Sequence, residues 1–438
     1  MTDASATMPI ESAGTFTANA VMRRRVIWSS TIGNALEWFD FIIFASFAGI
    51  IGHQFFAEAD AAAGLLAAYG LLAVAYIARP IGGIFFGAWA DRVGRKRALV
   101  TIVLLMAFAT VLIGLLPTYE QIGIAAPLLL LFARLIQGFS AGGEFGTSTA
   151  MLIEFAPPGE RGFYASFQFV AQAFAFGGGA LCAYLLNTLL TPQQLQSWGW
   201  RLPFLAGVII GPIGFYLRQK VDETPEFKAF LAARAGIPNT PLRDVIANYP
   251  RALISLVLVV AGLTCYTYLG TIFYPNFMVN ELGLKMANAQ LGLFVLNMVA
   301  ALVLPFTGML SDKIGRRQTM IPALLIYLVV ALFLTLRLLE NPSNATMWSL
   351  QAASFIMFFM VGPGSALILE TFPVGVRSTG ASIVYNLAVA IFGGLAPLVV
   401  GELYQTTHNK LVPAFCIGGG LILTLIGLIL VPRAARDT

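Results

Sequence analysis

Twelve mostly apolar runs, each roughly 17 to 30 residues long, follow one another along the chain with only short polar breaks between them. A helix needs about 20 such residues to cross the hydrocarbon core of a bilayer, and no water-facing domain has enough polar surface to cover twelve of them. Composition agrees: 58% of the 438 residues are hydrophobic and 11% charged, against roughly 45–50% and 25% in soluble domains. That excludes a soluble enzyme. The runs lack the two-residue alternation of barrel strands, so the predicted fold is all-α with twelve transmembrane helices. The spans read 26–52, 65–89, 98–116, 125–153, 163–190, 201–217, 251–280, 286–310, 318–337, 347–371, 378–402 and 412–432.

Lys and Arg set the orientation. With a cytoplasmic N-terminus, twenty of the 26 basic residues fall in cytoplasmic segments, among them Arg23 to Arg25, Arg218, Arg234, Arg433 and Arg436. Four fall outside, and Arg79 and Arg134 lie within spans. This bias predicts both termini in the cytoplasm. It divides the chain into a tail (1–25), an N-terminal six-helix bundle (26–217), a cytoplasmic linker (218–250) with Pro225, Pro238 and Pro241, a C-terminal six-helix bundle (251–432) and a tail (433–438). The first 22 residues do not have the order of a removable signal peptide, so helix 1 is expected to act as its own signal. The net charge of +5 is spread as punctuation between runs rather than gathered in a patch, which argues against nucleic acid. Cys182, Cys265 and Cys416 lie singly in apolar runs, and His53 and His408 by outer loops. Neither group has metal-ligand or disulfide spacing, and no metal or cofactor is expected. Gly138-Phe-Ser140-Ala-Gly142 matches a hydrolase nucleophile pattern but falls inside a helix rather than on a strand-to-helix turn.

Two loop motifs recur. Gly87-Ala-Trp-Ala-Asp91-Arg-Val-Gly94-Arg-Lys-Arg97 after span 2 returns after span 8 as Gly308-Met-Leu-Ser-Asp312-Lys-Ile-Gly315-Arg-Arg317, 221 residues later. Glu154-Phe-Ala-Pro157-Pro-Gly-Glu-Arg161 after span 4 returns after span 10 as Glu370-Thr-Phe-Pro373-Val-Gly-Val-Arg377, 216 residues later. Two matches at nearly one offset argue for duplication, and two similar bundles can rock about a central site to expose it to either side in turn.

The first motif resembles the loop signature of the major facilitator superfamily. Within it, Gly33-Asn34-Ala-Leu-Glu37-Trp38-Phe39-Asp40-Phe41, Arg79-Pro80-Ile-Gly82-Gly83 and Arg134-Leu-Ile-Gln137-Gly138 resemble the metabolite:proton symporter family. The likeness is greatest to its 2-oxoglutarate and citrate members. It implies a proton-coupled symporter of the bacterial inner membrane, importing a small di- or tricarboxylate by alternating access, with helices 1, 4, 7 and 10 around the cavity. A zwitterionic osmolyte such as betaine or proline on the same fold is the rival cargo. A membrane receptor or enzyme is the rival class, and would have to account for the duplicated loops. The expected partners are a carboxylate, the proton and lipid, with a monomer as the unit.

Ionisable groups within spans are costly to bury and default to functional roles. Five lie deep: Glu37, Asp40, Arg79, Arg134 and Glu144, all in the first half. Counting about 1.5 Å per residue from the cytoplasmic edge places Glu37, Arg79 and Glu144 roughly 15 to 18 Å deep, Asp40 about one turn further out, and Arg134 roughly 30 Å up, near the outer boundary. Glu37, Asp40 and Glu144 are candidate proton carriers, because desolvation and a nearby Arg pull a carboxyl's proton affinity in opposite directions. Arg79 and Arg134 are candidate ligands of a substrate carboxylate. The plain alternative for each is a permanent buried pair that only fixes packing. Asn34, Gln137, Gln168, Tyr266, Tyr268, Tyr385 and Asn386 are candidate substrate contacts, interhelical packing being the alternative. In the loops, Asp91 with Gly94, Arg95, Lys96 and Arg161, and Asp312 with Arg316, Arg317 and Arg377, are candidate gates. The resemblance implies that Asp91 meets the start of helix 11 at Arg377-Ser378-Thr379. Gly138, Gly142, Gly146 and Gly177 to Gly179 read as close-packing seams, and Gly362-Pro363-Gly364 as a break in span 10.

Overall fold

The computed structural model describes residues 20–56, 61–233 and 239–432. The tail residues 1–19 and 433–438, with Arg433 and Arg436, and Arg234 and Pro238 of the linker lie outside the described residues. There is no strand among those described. The chain runs through α1 (Ala20–Ser46), α2 (Ala61–Val93), α3 (Arg95–Leu115), α4 (Ala125–Glu154), α5 (Arg161–Leu189), α6 (Gly207–Gln219), α7 (Pro250–Asn280), α8 (Met286–Ile314), α9 (Arg316–Glu340), α10 (Asn344–Glu370), α11 (Val374–Thr407) and α12 (Val412–Leu430). Ten of these are long and apolar enough to cross a membrane, and eleven once α1 and the helix Ala48–Phe55 are taken as one bent span. The remaining one, α6, has 13 residues and is extended at its start by the turns Gly199–Arg201 and Leu202–Leu205.

Several expectations need correcting. The first span is not one run from 26 to 52: α1 begins at Ala20, so Arg23 to Arg25 lie inside the helix, and the chain bends by 70° at Phe47. Span 10 does not break at Gly362-Pro363-Gly364, which stays within the regular helix Phe358–Glu370. The winding changes just upstream instead, in the 3₁₀ turn Ser354–Met357. α7 and α11 each contain a π-helical turn, at Leu269–Phe273 and Val389–Gly394. Such turns commonly mark functional positions.

Glycine decides where backbones touch. On α4, a Cβ at Gly138 or Gly142 would sit 2.1 or 2.0 Å from the carbonyl oxygens of Ala75 and Arg79 on α2, and one at Gly146 would meet Ser382 of α11. Gly177 and Gly179 abut Met298 and Ile42, whereas Gly178 has open space around it and takes no part in a seam. The halves meet along α2 with α11 and α5 with α8. The first glycine of each repeated loop motif stands where these pairs cross: a Cβ at Gly87 would lie 2.9 Å from Thr379 Cα, and one at Gly308 2.4 Å from the Gly162 carbonyl. The second glycine makes the turn into the next helix, Gly94 at φ 111° and Gly315 at φ 99°, where side chains are strained.

Candidate functional site

Three buried acid–arginine pairs of the N-terminal half involve the deep acids Glu37, Asp40 and Glu144. Arg79 on α2 donates to Glu37 on α1 at 2.6 Å, and its Nε reaches Asn386 Oδ1 on α11 at 3.4 Å. Its guanidinium lies 5.2 and 5.3 Å from the rings of Trp38 and Phe41, while Nη1 has no hydrogen-bond partner among the described residues. Arg134 on α4 donates to Asp40 at 3.1 Å and to Gln137 at 2.6 Å. Gln137 in turn donates to Asp40 at 2.7 Å and to Thr110 at 2.9 Å, and the Phe44 ring lies 3.4 Å from the Arg134 guanidinium. Glu144 on α4 pairs with Arg218 at the end of α6, which also donates to the Leu99 carbonyl at 2.6 Å. A buried pair whose members are also hydrogen-bonded and ringed by aromatics is tolerated, whereas a buried charge alone is not.

Two corrections follow. Asp40 lies further from the basic-loop end than expected, level with Arg134, to which it is bonded. The depth count took Arg25 as the edge of α1, but both residues are 20 positions from the basic-loop end of their helices, Ala20 and Glu154. Arg218 is not a solvated linker charge. It is 3% exposed, and sequence reading missed it by ending span 6 at residue 217. Its signal was the unpaired acid Glu144, which required a cation from some neighbouring helix.

Between the halves lies a cavity of about 360 Å³. Of the candidate substrate contacts, Tyr266, Tyr268 and Tyr385 line it. Arg79, Arg134, Asn34, Gln137, Gln168 and Asn386 do not. Asn34 is tied to the Gln168 carbonyl at 2.7 Å, Gln168 accepts from Ser148 at 2.9 Å, and Asn386 donates to the Gly142 carbonyl at 2.6 Å. These amides hold helices together. The wall also includes Trp38, Gln172, Thr264, Tyr274 and Tyr327 and, among the described residues, no Lys, Arg, Asp or Glu. Gln172, which donates to the Tyr385 hydroxyl at 3.2 Å, was not foreseen, since a glutamine one turn beyond Gln168 carries no distinguishing signal. Tyr385 stacks flat on Phe145 at 3.6 Å, and Tyr268 packs edge-on to Tyr76 at 5.7 Å. Trp38, in the cavity wall, packs on the Arg79 guanidinium, and Tyr76 lies 5.8 Å from that guanidinium and next to Tyr268.

At the basic-loop end, the halves are bound together. Asp91 accepts from the backbone N–H groups of Ser378 and Thr379 at 3.2 and 2.8 Å and from the Thr379 hydroxyl at 2.7 Å, and pairs with Arg95 at 3.1 Å. These donors open a regular stretch of α11, where free N–H groups and the helix dipole favour an anion. Asp312 makes the related contact with the start of α5, accepting from Gly162 and Phe163 at 2.8 and 2.9 Å and pairing with Arg316 at 2.7 Å. Glu154 joins Arg95 and Arg377 at 3.1 and 2.9 Å, and Glu370 holds Arg316 at 3.0 Å. Lys96 and Arg317 do not reach across: they donate to the carbonyls of Gln219 and Val431 within their own halves. The linker adds groups that sequence reading missed. Glu223 accepts from Arg95 and Lys96 N–H at 3.0 and 3.1 Å, beneath Gly94, and Glu226 pairs with both Arg161 and Arg377.

The Major Facilitator Superfamily sequence model matches residues 30–397. The chain belongs to this superfamily. A "Citrate-proton symporter" of Klebsiella pneumoniae is 37% identical over 430 residues, covering 97% of this chain and 94% of that protein. An "Alpha-ketoglutarate permease" of Escherichia coli (strain K12) is 36% identical over 386 residues, covering 86% and 87%. Among solved structures, the proton:xylose symporter XylE superposes with a TM-score of 0.78 over 94% of this chain and 95% of that one, at 18% identity, a likeness of fold.

Proposed function

We propose that this superfamily member is a proton-coupled symporter that imports a small di- or tricarboxylate across the bacterial inner membrane by alternating access, with the monomer as its working unit. The observation that carries the reading is Arg79: one nitrogen is held by Glu37, another has no partner among the described residues, and its guanidinium lies 5.2 Å from the ring of Trp38, which lines a cavity of a size that suits a small metabolite. The names of the relatives support the choice of cargo.

Charge balance supplies the coupling. With Glu37 ionised, the Arg79 pair is neutral. A proton on Glu37 leaves Arg79 with an unmatched positive charge, which a substrate carboxylate cancels through the planar guanidinium. Substrate alone or proton alone leaves a net charge in a low-dielectric interior, at a cost of several kcal/mol. This carboxylate and this proton therefore cross together or not at all, and each further carboxylate of a di- or tricarboxylate needs a proton of its own, on the substrate or on a second carboxyl such as Asp40. Hydroxyls of Tyr268 and Tyr385 and the Gln172 amide would satisfy the remaining carboxylate oxygens. The basic-loop end faces the cytoplasm by the positive-inside rule, so delivery inward requires the Asp91 and Asp312 contacts to part.

The test is uptake into proteoliposomes under an inside-alkaline gradient with labelled citrate, 2-oxoglutarate, succinate and betaine. Carboxylates should accumulate with co-entry of protons, and Glu37→Gln should cut accumulation at least tenfold relative to exchange of carboxylate for carboxylate. Uptake of betaine alone would replace the cargo, and gradient-independent accumulation by Glu37→Gln would end the coupling scheme.

A further inference from the structure

A second chamber lies behind α1, on the side away from the central cavity. It measures about 40 Å³, lined by α1, α3, α4 and the sixth-span segment, and has room for about three water molecules. Its wall is apolar at Ile102, Val103 and Met106, but Glu37, Asp40 and Glu144 all border it, as does Arg218. Arg134 and Gln137 hold Asp40 from α4, Arg79 holds Glu37 from α2, and Arg218 holds Glu144 from α6. Among the described residues no other charged group borders this space, and α3 contributes only Thr110 as a hydrogen-bonding side chain. Asp40 Oδ1 and Arg218 Nε are buried without a hydrogen-bond partner among the described residues. Glycine makes the room: a Cβ at Gly33 would collide with the Arg218 guanidinium, and one at Gly211 with Ala107. Glu37 therefore has two neighbourhoods, Arg79 on one side and this chamber on the other.

We propose that the chamber is the proton's route through the N-terminal half, separate from the substrate's, with Glu144 as relay and Arg218 as the stopper at its basic-loop end. The proton leaves the Glu37 carboxyl for chamber water, a proton passes from that water to the Glu144 carboxylate, and Arg218 loses its counter-ion and swings toward the Leu99 carbonyl it already contacts. Glu144 then loses its proton to water at the basic-loop end and recaptures Arg218. Arg218 is in this sense a positioning residue: it touches neither cargo nor Glu37's partner Arg79. This rests on the coupling scheme above, but the decisive measurement does not depend on cargo.

The experiment uses the full chain in liposomes loaded with a pH-sensitive dye, under an imposed pH gradient and without substrate. Arg218→Gln should raise proton entry at least threefold over the parent, and Arg218→Lys should stay near it. Ala107→Leu, which narrows the chamber without altering charge, should bring the Arg218→Gln leak back to the parent rate. Where the parent accumulates carboxylate, Glu144→Gln should lower the ratio of accumulation to exchange at least tenfold. Arg218→Gln protein that elutes as a single species yet admits protons no faster than the parent would overturn the stopper. A leak that Ala107→Leu does not touch would overturn the route. Failure of the parent to carry any carboxylate would overturn the cargo reading and leave the leak measurement standing.

Discussion

At the scale of single residues, removing one member of a buried pair differs from removing both. Arg134→Gln strips Asp40 of its cation in a site 2% exposed or less, and should destabilise the protein by about 3–5 kcal/mol, seen as a lower melting temperature in detergent. The double variant Arg134→Met with Asp40→Leu should recover most of that loss, because no unpaired charge remains; an equal loss in both would mean that packing rather than charge holds the site. Five of the six paired groups were legible in the sequence, since a charge within an apolar run stands out. Their partners were not. Pairing depends on which helices touch, and the count of depth along α1 began five residues inside the helix, at Arg25 instead of Ala20. Asn34, Gln168 and Asn386 were read as substrate contacts on residue type alone, and type does not distinguish an amide facing a cavity from one facing a helix backbone.

At the scale of elements, the α2–α4 seam is set by contacts with no slack. Gly142→Ala would place a methyl 2.0 Å from the Arg79 carbonyl, so the helices must separate and carry Arg79 with them. The expected outcome is destabilisation of about 1–3 kcal/mol together with loss of uptake beyond what the lowered amount of folded protein accounts for, measured by transport per monodisperse protein. Gly178→Ala, with open space around it, should alter neither. Most helices were legible because apolar length is a one-dimensional property. What escaped was the bend at Phe47, the 3₁₀ turn Ser354–Met357 and the two π turns, none of which falls on a proline. They arise from tertiary fit, as where Gly393, inside the α11 π turn, lies 3.0 Å from the Tyr268 ring by its would-be Cβ.

At the scale of the whole molecule, the basic-loop end is held at two seams by related devices, Asp91 on the α11 N–H groups and Asp312 on those of α5. If the halves move as rigid bodies, opening breaks both at once and their free energies add. Each carboxylate on helix N–H groups with an adjoining Arg is worth on the order of 1–2 kcal/mol. Asp91→Asn and Asp312→Asn should then each raise the population open at this end by roughly tenfold, and the pair by roughly a hundredfold. Spin labels at the exposed Arg97 and Ile314, in a chain lacking Cys182, Cys265 and Cys416, report the separation directly by pulsed dipolar spectroscopy. A double variant no more open than the better single one would mean that one seam alone carries the barrier. The halves would then part by bending of individual helices, for which the π turns of α7 and α11 are the places to look.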